Sequence, residues 1–194
     1  MILLDDFLPC GWDKLEHGQR AYAHSKTVAN VAKLIASKTS ILDCEKAYTY
    51  GLMHDVGKFY LKKSEIYKHP IAGYDLMKER YPDIAIICVT HPFPNFENFE
   101  HILRYCHDDK DEADKIFDIL CGILRDDYID LIQFCDKISR MDDYIRFEDK
   151  LQWYIDKYNL RQDEIIDQYS DRMSKIKATF DRMANIDIYE LINI

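Results

Sequence analysis

The stretch Ala47-Tyr48-Thr49-Tyr50-Gly51-Leu52-Met53-His54-Asp55-Val56-Gly57-Lys58 decides how this chain is read. It continues a helical pattern that starts near Asp43, a residue type suited to an N-cap, and runs to Asp55. Ala47, Gly51, His54 and Asp55 fall on its inner face. A histidine and a carboxylate on that face are out of place, because burying either without a partner is costly. Neighbours on a helix point about 100° apart, so both can flank one ion only at the helix edge. A carboxylate there has two oxygens and can bridge two ions. Lys58 is i+4 from His54 and i+3 from Asp55, so its ammonium can reach an anion bound beside them.

The same misfit recurs outward from this stretch. Tyr22 to Ser37 reads as a helix in which His24 lies in line with Val28, Val31 and Ile35. Pro70 can open a third helix, with Ile71, Tyr74 and Met77 inward, and Pro82 a fourth. In the fourth, His91 continues the face of Ile84, Ile87 and Cys88, and Pro92 and Pro94 end it. Helix resumes from Phe96 to Cys106 after a loop, and His107 to Asp114 is a charged turn or helix start. Lys115 to Arg125 and Ile129 to Ile145 are amphipathic, and Asp136 follows Ile129 and Ile132 on one face. Leu151 to Ile194 keeps helical spacing, as at Ile176, Phe180 and Met183. The expected fold is all-α, roughly two thirds helical. Residues 1–150 form a single helical bundle, and 151–194 a C-terminal helical extension packed on the same domain. The extension covers the bundle or forms a homodimer contact; the sequence leaves both open.

Composition narrows the function. With 6 Gly and 5 Pro in 194 residues, a sandwich or barrel with a turn every ten residues is excluded. The longest apolar run, Ile84 to Val89, is too short to span a bilayer. Met1 to Pro9 carries Asp5 and Asp6 and no basic residue, unlike a secretory signal. The charge is −9, from 26 basic and 35 acidic residues, so non-specific attraction to nucleic acid or anionic lipid is not expected. A small anion would need local positive charge. The six cysteines form no Cys-x-x-Cys pair, and Cys88, Cys121 and Cys135 read as small core residues. The default is a reducing, cytoplasmic setting. No Ser or Cys carries a hydrolase-elbow motif, and there is no Gly-rich phosphate loop.

The ordered set His24, His54-Asp55-Val56-Gly57-Lys58, His69-Pro70-Ile71-Ala72-Gly73, His91 and Asp136 resembles the HD superfamily of metal-dependent phosphohydrolases. Residues 24 to 136 carry the resemblance. It implies an all-α bundle with His24, His54, Asp55 and Asp136 as the ligands of one divalent ion. His69 and His91 match the two further histidines of the binuclear, His-Asp-Ile-Gly-like subgroup, with Asp55 bridging two ions. Iron or manganese is expected, with zinc, nickel and magnesium as the other candidates. The implied reaction cleaves a phosphoester or phosphoanhydride bond of a nucleotide, a small phosphorylated substrate, with a metal-activated hydroxide. A dinucleoside polyphosphate is the first choice; nucleoside monophosphates and cyclic dinucleotides are the others. Lys58 would add positive charge at the phosphoryl group. The alternative is a non-catalytic nucleotide-binding, sensor or scaffold module. The cyclic-di-GMP branch of the superfamily is disfavoured, since its His-His-Glu and Gly-Tyr-Pro motifs are absent.

Each residue also has an ordinary reading. His24 can be a hydrogen-bonded core histidine, His69 a cap before Pro70, and His91 a C-terminal histidine facing the helix dipole. Asp136 can pair with Arg140 at i+4. Lys58, with Lys62, Lys63 and Lys68, can be a solvated surface. Arg20 and Arg140 lie one turn from His24 and Asp136 and can bind a substrate phosphate or pair with carboxylates. His107-Asp108 repeats the dipeptide without an apolar face and is read as an exposed decoy. His17 and His101 have no ligand-like context. Phe93, Phe96 and Phe99 pack in core or loop, with Phe93 or Phe96 within reach of a base.

Overall fold

Two backbone contacts that only glycine permits set the arrangement of the first helices. The computed structural model describes residues 3–158 and 163–194. Met1, Ile2 and part of the expected C-terminal extension lie outside the described residues. Of the described residues, 72% are in α- or 3-10 helix and none is in a strand. The helices are α1 (Gly18–Lys38), α2 (Cys44–Met53), α3 (His69–Met77), α4 (Pro82–Thr90), α5 (Phe99–Tyr105), α6 (Lys110–Cys121), α7 (Asp127–Ile138), α8 (Phe147–Tyr158), α9 (Glu164–Ala184) and α10 (Ile188–Leu191). None is long and apolar enough to cross a membrane.

Asp43 caps α2 as expected, accepting from the Lys46 N–H at 2.7 Å. The helix packs on α1 backbone to backbone, since a Cβ at Gly51 would lie 2.7 Å from the Ala29 Cα. It stops at Met53, two residues short of the expected end. His54 is its C-cap, and Asp55 (φ −104, ψ 10) leads into a 3-10 turn, Val56–Tyr60. Gly57 in that turn touches α3, where a Cβ would meet the His69 carbonyl oxygen at 2.2 Å and the Gly73 nitrogen at 2.5 Å. The break therefore turns Asp55 away from the helix axis and joins it to α3.

A second departure matters for the site. The pattern from Ile129 to Ile145 is not one helix. α7 ends at Ile138, and Ser139 becomes extended. The chain then folds back, with Arg140 N–H on Asp143 carbonyl (2.8 Å) and Ile145 N–H on Ile138 carbonyl (2.9 Å). Ile138 is in the core and Tyr144 packs against it from the returning arm, while Met141 between them is exposed. Cys121 is exposed, not a core residue; Cys88, Cys106 and Cys135 are buried.

The main core joins α1, α2, α4, α7 and α9, and a smaller one, with Phe93, Ile102 and Ile116, fills the space between α4, α5 and α6. Met173, Ile176 and Phe180 of α9 are buried, and α9 lies against α7 and α1. α8 runs unbroken across position 150.

Gly57→Ala should be among the most damaging single-methyl additions, because backbone atoms on both sides must move. Overpacking of this kind costs on the order of 3 kcal/mol, read as a drop in the urea midpoint at unchanged m-value. A midpoint within error of wild type would contradict the close packing of this turn.

Candidate metal centre

Three of the four central histidines sit where a helix or turn ends, and this orients their rings. The last carbonyls of a helix have no intrahelical partner. Nδ1 of His54 donates to the Gly51 carbonyl at 2.7 Å, and Nδ1 of His91 to that of Cys88 at 2.9 Å. Nδ1 of His69 donates to the Ile66 carbonyl of the preceding 3-10 turn at 2.7 Å. His24, in mid-α1, donates from Nδ1 to the Arg140 carbonyl at 3.0 Å, which the turn after α7 presents to it. Each ring spends its N–H on the backbone and turns a bare Nε2 lone pair inward. Backbone partners of this kind fix the tautomer of ligating histidines.

Asp55, fully buried, lies among these lone pairs. Its Oδ1 is 3.1 Å from His69 Nε2 and 3.3 Å from His91 Nε2. Its Oδ2 is 3.3 Å from His54 Nε2 and 3.9 Å from His24 Nε2. Asp136 Oδ1 lies 2.9 Å from His24 Nε2 and 3.8 Å from His54 Nε2. All six residues expected from sequence are thus brought together, and Asp55 faces one pair of histidines with each oxygen.

Lone pairs facing carboxylate oxygens repel. His69 Nε2 and His91 Nε2 are only 3.1 Å apart. His54 Nε2 and Asp55 Oδ1 are buried without a hydrogen bond. Burial pushes the His91 imidazole down to about 3. Burial and the Lys58 charge lower His69 as well. Both rings are therefore neutral near pH 7, the form that ligates a metal. Burial alone would raise the Asp55 carboxyl, but the Lys58 ammonium opposes it, and the carboxyl lies well below the usual carboxylate range. Asp136 is held low in the same way, against burial, by Lys137. Nitrogen and oxygen donors converging without compensating protons fit divalent cations. The sets His24, His54, Asp55 and Asp55, His69, His91 each have the geometry to hold one.

Lys58 donates to Asp55 Oδ2 at 2.5 Å. Its backbone carbonyl accepts from His17 Nε2 at 2.9 Å. Asp136 pairs not with Arg140 but with Lys137, Nζ to Oδ2 at 2.6 Å, because the helix has ended before Arg140. Lys150 of α8 donates to the carbonyls of Asp136 (2.9 Å) and Ser139 (2.7 Å), covering the end of α7.

The centre opens into a cleft of about 1070 Å³. Its wall includes Arg20, Lys58, Lys63, Arg104, Lys137, Arg140 and Lys150, a cationic lining in an acidic protein. Lys63 pairs with Glu16, and Arg104 with Asp163. Among the described residues, no carboxylate pairs with Arg20 or Arg140. Lys68 is drawn away to Asp109 at 3.6 Å. His107 and Asp108 are exposed in the left-handed region (φ 54 and 65), far from ligand geometry. Phe93 is buried in the smaller core and Phe96 lies under Arg125, so neither ring lines the cleft. His17, His101, Lys137 and Lys150 do line it. Sequence reading missed all four, since none stands on a recognisable apolar stripe beside a ligand.

The family model for the HD domain matches residues 21–143. Ribonuclease Y of Mycoplasma capricolum subsp. capricolum is 36% identical over 77 residues, which is 39% of this chain and 15% of that protein. The likeness therefore concerns a small part of a longer relative. No solved structure matches the chain.

A cation held here binds the folded state alone and should stabilise it by mass action, by about 2.7 kcal/mol at 100 times Kd. For a chain of this size that is a rise in Tm of about 5–10 °C. Thermal unfolding of chelator-treated protein with and without manganese measures it. The rise should vanish in Asp55→Ala and persist in His107→Ala. The opposite pattern would move the centre to the second His-Asp pair.

Proposed function

This chain belongs to the HD domain family, and from that premise we propose that it is a metal-dependent phosphohydrolase acting on a nucleotide, with two divalent ions at the His/Asp centre. The observation that carries this reading is the division of the Asp55 carboxylate, one oxygen toward His24 and His54 and the other toward His69 and His91. Iron or manganese suits the nitrogen and oxygen donors. Ions bound there would supply Lewis-acid charge and lower the pKa of water toward neutrality.

The remaining steps belong to the chain's own groups. Arg20 and Arg140, free of carboxylate partners among the described residues, are suited to grip phosphate oxygens through their forked N–H groups. Lys58 is anchored at its carbonyl by His17, and its ammonium reaches the cleft floor. It is placed to stabilise charge that grows on the phosphoryl oxygens. Lys137 keeps Asp136 ionised and turned toward His24. Hydrolysis forms one bond from water oxygen to phosphorus and breaks the bond to the leaving oxygen, so no side-chain nucleophile is needed.

A dinucleoside polyphosphate is the first substrate to try, with nucleoside monophosphates and cyclic dinucleotides beside it. A second reading is favoured by the likeness to a protein named as a ribonuclease: the bond cleaved would then be a phosphodiester of RNA. Release of phosphate or nucleotide from these four substrate types, with each metal in turn, distinguishes the readings. Binding of metal and nucleotide without turnover on any of them would favour the sensor or scaffold alternative.

Lys58→Ala tests the chemistry itself. Loss of one positioned electrostatic donor costs on the order of 100- to 1000-fold in rate. Turnover should fall by that factor while elemental analysis still finds close to two ions per chain. Lys58→Arg should recover only part, because the guanidinium differs in reach and geometry. Wild-type turnover in Lys58→Ala would place this side chain outside the reaction.

A further inference from the structure

Beyond residue 143, where the family match ends, the chain builds the wall of the cleft that faces the metal centre. Phe147, Trp153 and Tyr154 of α8 and Ile166 and Tyr169 of α9 line the same cavity as His24, Lys58, His69 and His91. Most large apolar side chains here are buried, yet Trp153 and Tyr154 remain 45% and 39% exposed. Their rings meet edge to face, 5.0 Å apart. The Lys157 ammonium sits 4.4 Å from the indole centroid, so a cation accompanies the aromatic pair.

The wall is registered to the floor. Lys150, one turn before Tyr154, is bonded to the carbonyls of Asp136 and Ser139, and Asp136 faces His24 across the centre. α8 thus holds its rings at a set position relative to the phosphate end of the cleft. A cavity of about 1070 Å³ is far larger than a phosphate requires and is at the upper end of the range for small-molecule sites. Cations at the floor and planar rings at the wall complement a molecule that is anionic at one end and aromatic at the other.

We propose that Trp153 and Tyr154 form a base-recognition subsite, stacking the nucleobase of a nucleoside phosphate whose phosphate lies at the His/Asp floor. The C-terminal helices then decide which phosphate esters are accepted, and the bundle supplies the chemistry. The location of the phosphate rests on the phosphohydrolase reading; the stacking surface does not. Stacking tolerates any base, because each presents a π-face. Selection is therefore for base over no base.

The chain has two tryptophans, Trp12 and Trp153. Trp12 packs on Tyr22 and Phe59 away from the cleft. A Trp12→Phe variant of the metal-loaded protein therefore reports Trp153 fluorescence alone. Adenosine 5′-thiophosphate, a slowly hydrolysed probe, should quench it saturably, and ribose 5-phosphate and inorganic phosphate should not. In Trp153→Leu the ratio of kcat/KM for the nucleoside phosphate over ribose 5-phosphate should fall about 10- to 100-fold, and Trp153→Phe should restore most of it. Far-UV circular dichroism checks that each variant is folded. If no ester is hydrolysed but the quench appears, the subsite stands and the phosphohydrolase reading fails. If hydrolysis proceeds with no quench and an unchanged ratio in Trp153→Leu, the subsite is overturned and the chemistry stands. A dimer that dissociates in Trp153→Leu without loss of probe binding would also overturn it, by assigning these rings to a subunit contact.

Discussion

A carboxylate surrounded by lone pairs is unstable on its own terms, and the structure is organised around that problem. Asp55 is fully buried, and the imidazole rings nearest it have already spent their Nδ1 protons on backbone carbonyls. The arrangement needs positive charge, and the protein supplies only part of it through Lys58. Every element near the centre answers to this need. α2 and α4 end where their histidines require free carbonyls, and Gly57 lets the turn after Asp55 touch α3. The positions that disrupt regular helix are the positions that orient the donors. Breaks of this kind are expected where function overrides local preference.

Much of this was legible in the chain. Polar residues on otherwise apolar stripes singled out His24, His54, Asp55, His91 and Asp136, because burial without a partner is costly whatever the fold. The order of those residues carried the likeness to the HD superfamily, which the family match supports. Helix ends were less legible. Periodicity placed Asp55 inside α2 and carried α7 on to Ile145, since apolar spacing does not register where hydrogen bonds stop. That error hid the source of the His24 contact, which comes from the Arg140 carbonyl and not from its side chain. It also produced the expected Asp136–Arg140 pair, which Lys137 replaces. Cys121 lay in an apolar run but points outward, a difference of helix phase that spacing over a few residues cannot resolve.

What the sequence hid most completely was the company the centre keeps. His17 lies 41 positions from the lysine whose carbonyl it holds. Lys150 is 14 positions from Asp136 and reaches it only because the chain folds back after Ser139. Contacts of this kind leave no period in the sequence. The net charge misleads for the same reason. A value of −9 describes the whole surface, whereas the cleft gathers lysines and arginines from four helices and the turns between them. Local field, not total charge, governs whether an anion enters.

Lys150 shows how the C-terminal helices become part of the centre and not a cover laid over it. Its side chain is partly buried, and desolvation pushes the ammonium down to about 8. Side chains usually meet such a cost with a carboxylate, but this one uses the Asp136 and Ser139 carbonyls at the end of α7. A cation at a partly buried helix C-terminus is favourable by up to about 2 kcal/mol. The contact satisfies the helix end and the lysine together, so separating α8 from α7 would expose two mismatched partners at once. The same bond fixes the backbone of Asp136, whose side chain faces His24. A segment outside the family match is therefore tied, through one amine, to the geometry of the residues inside it.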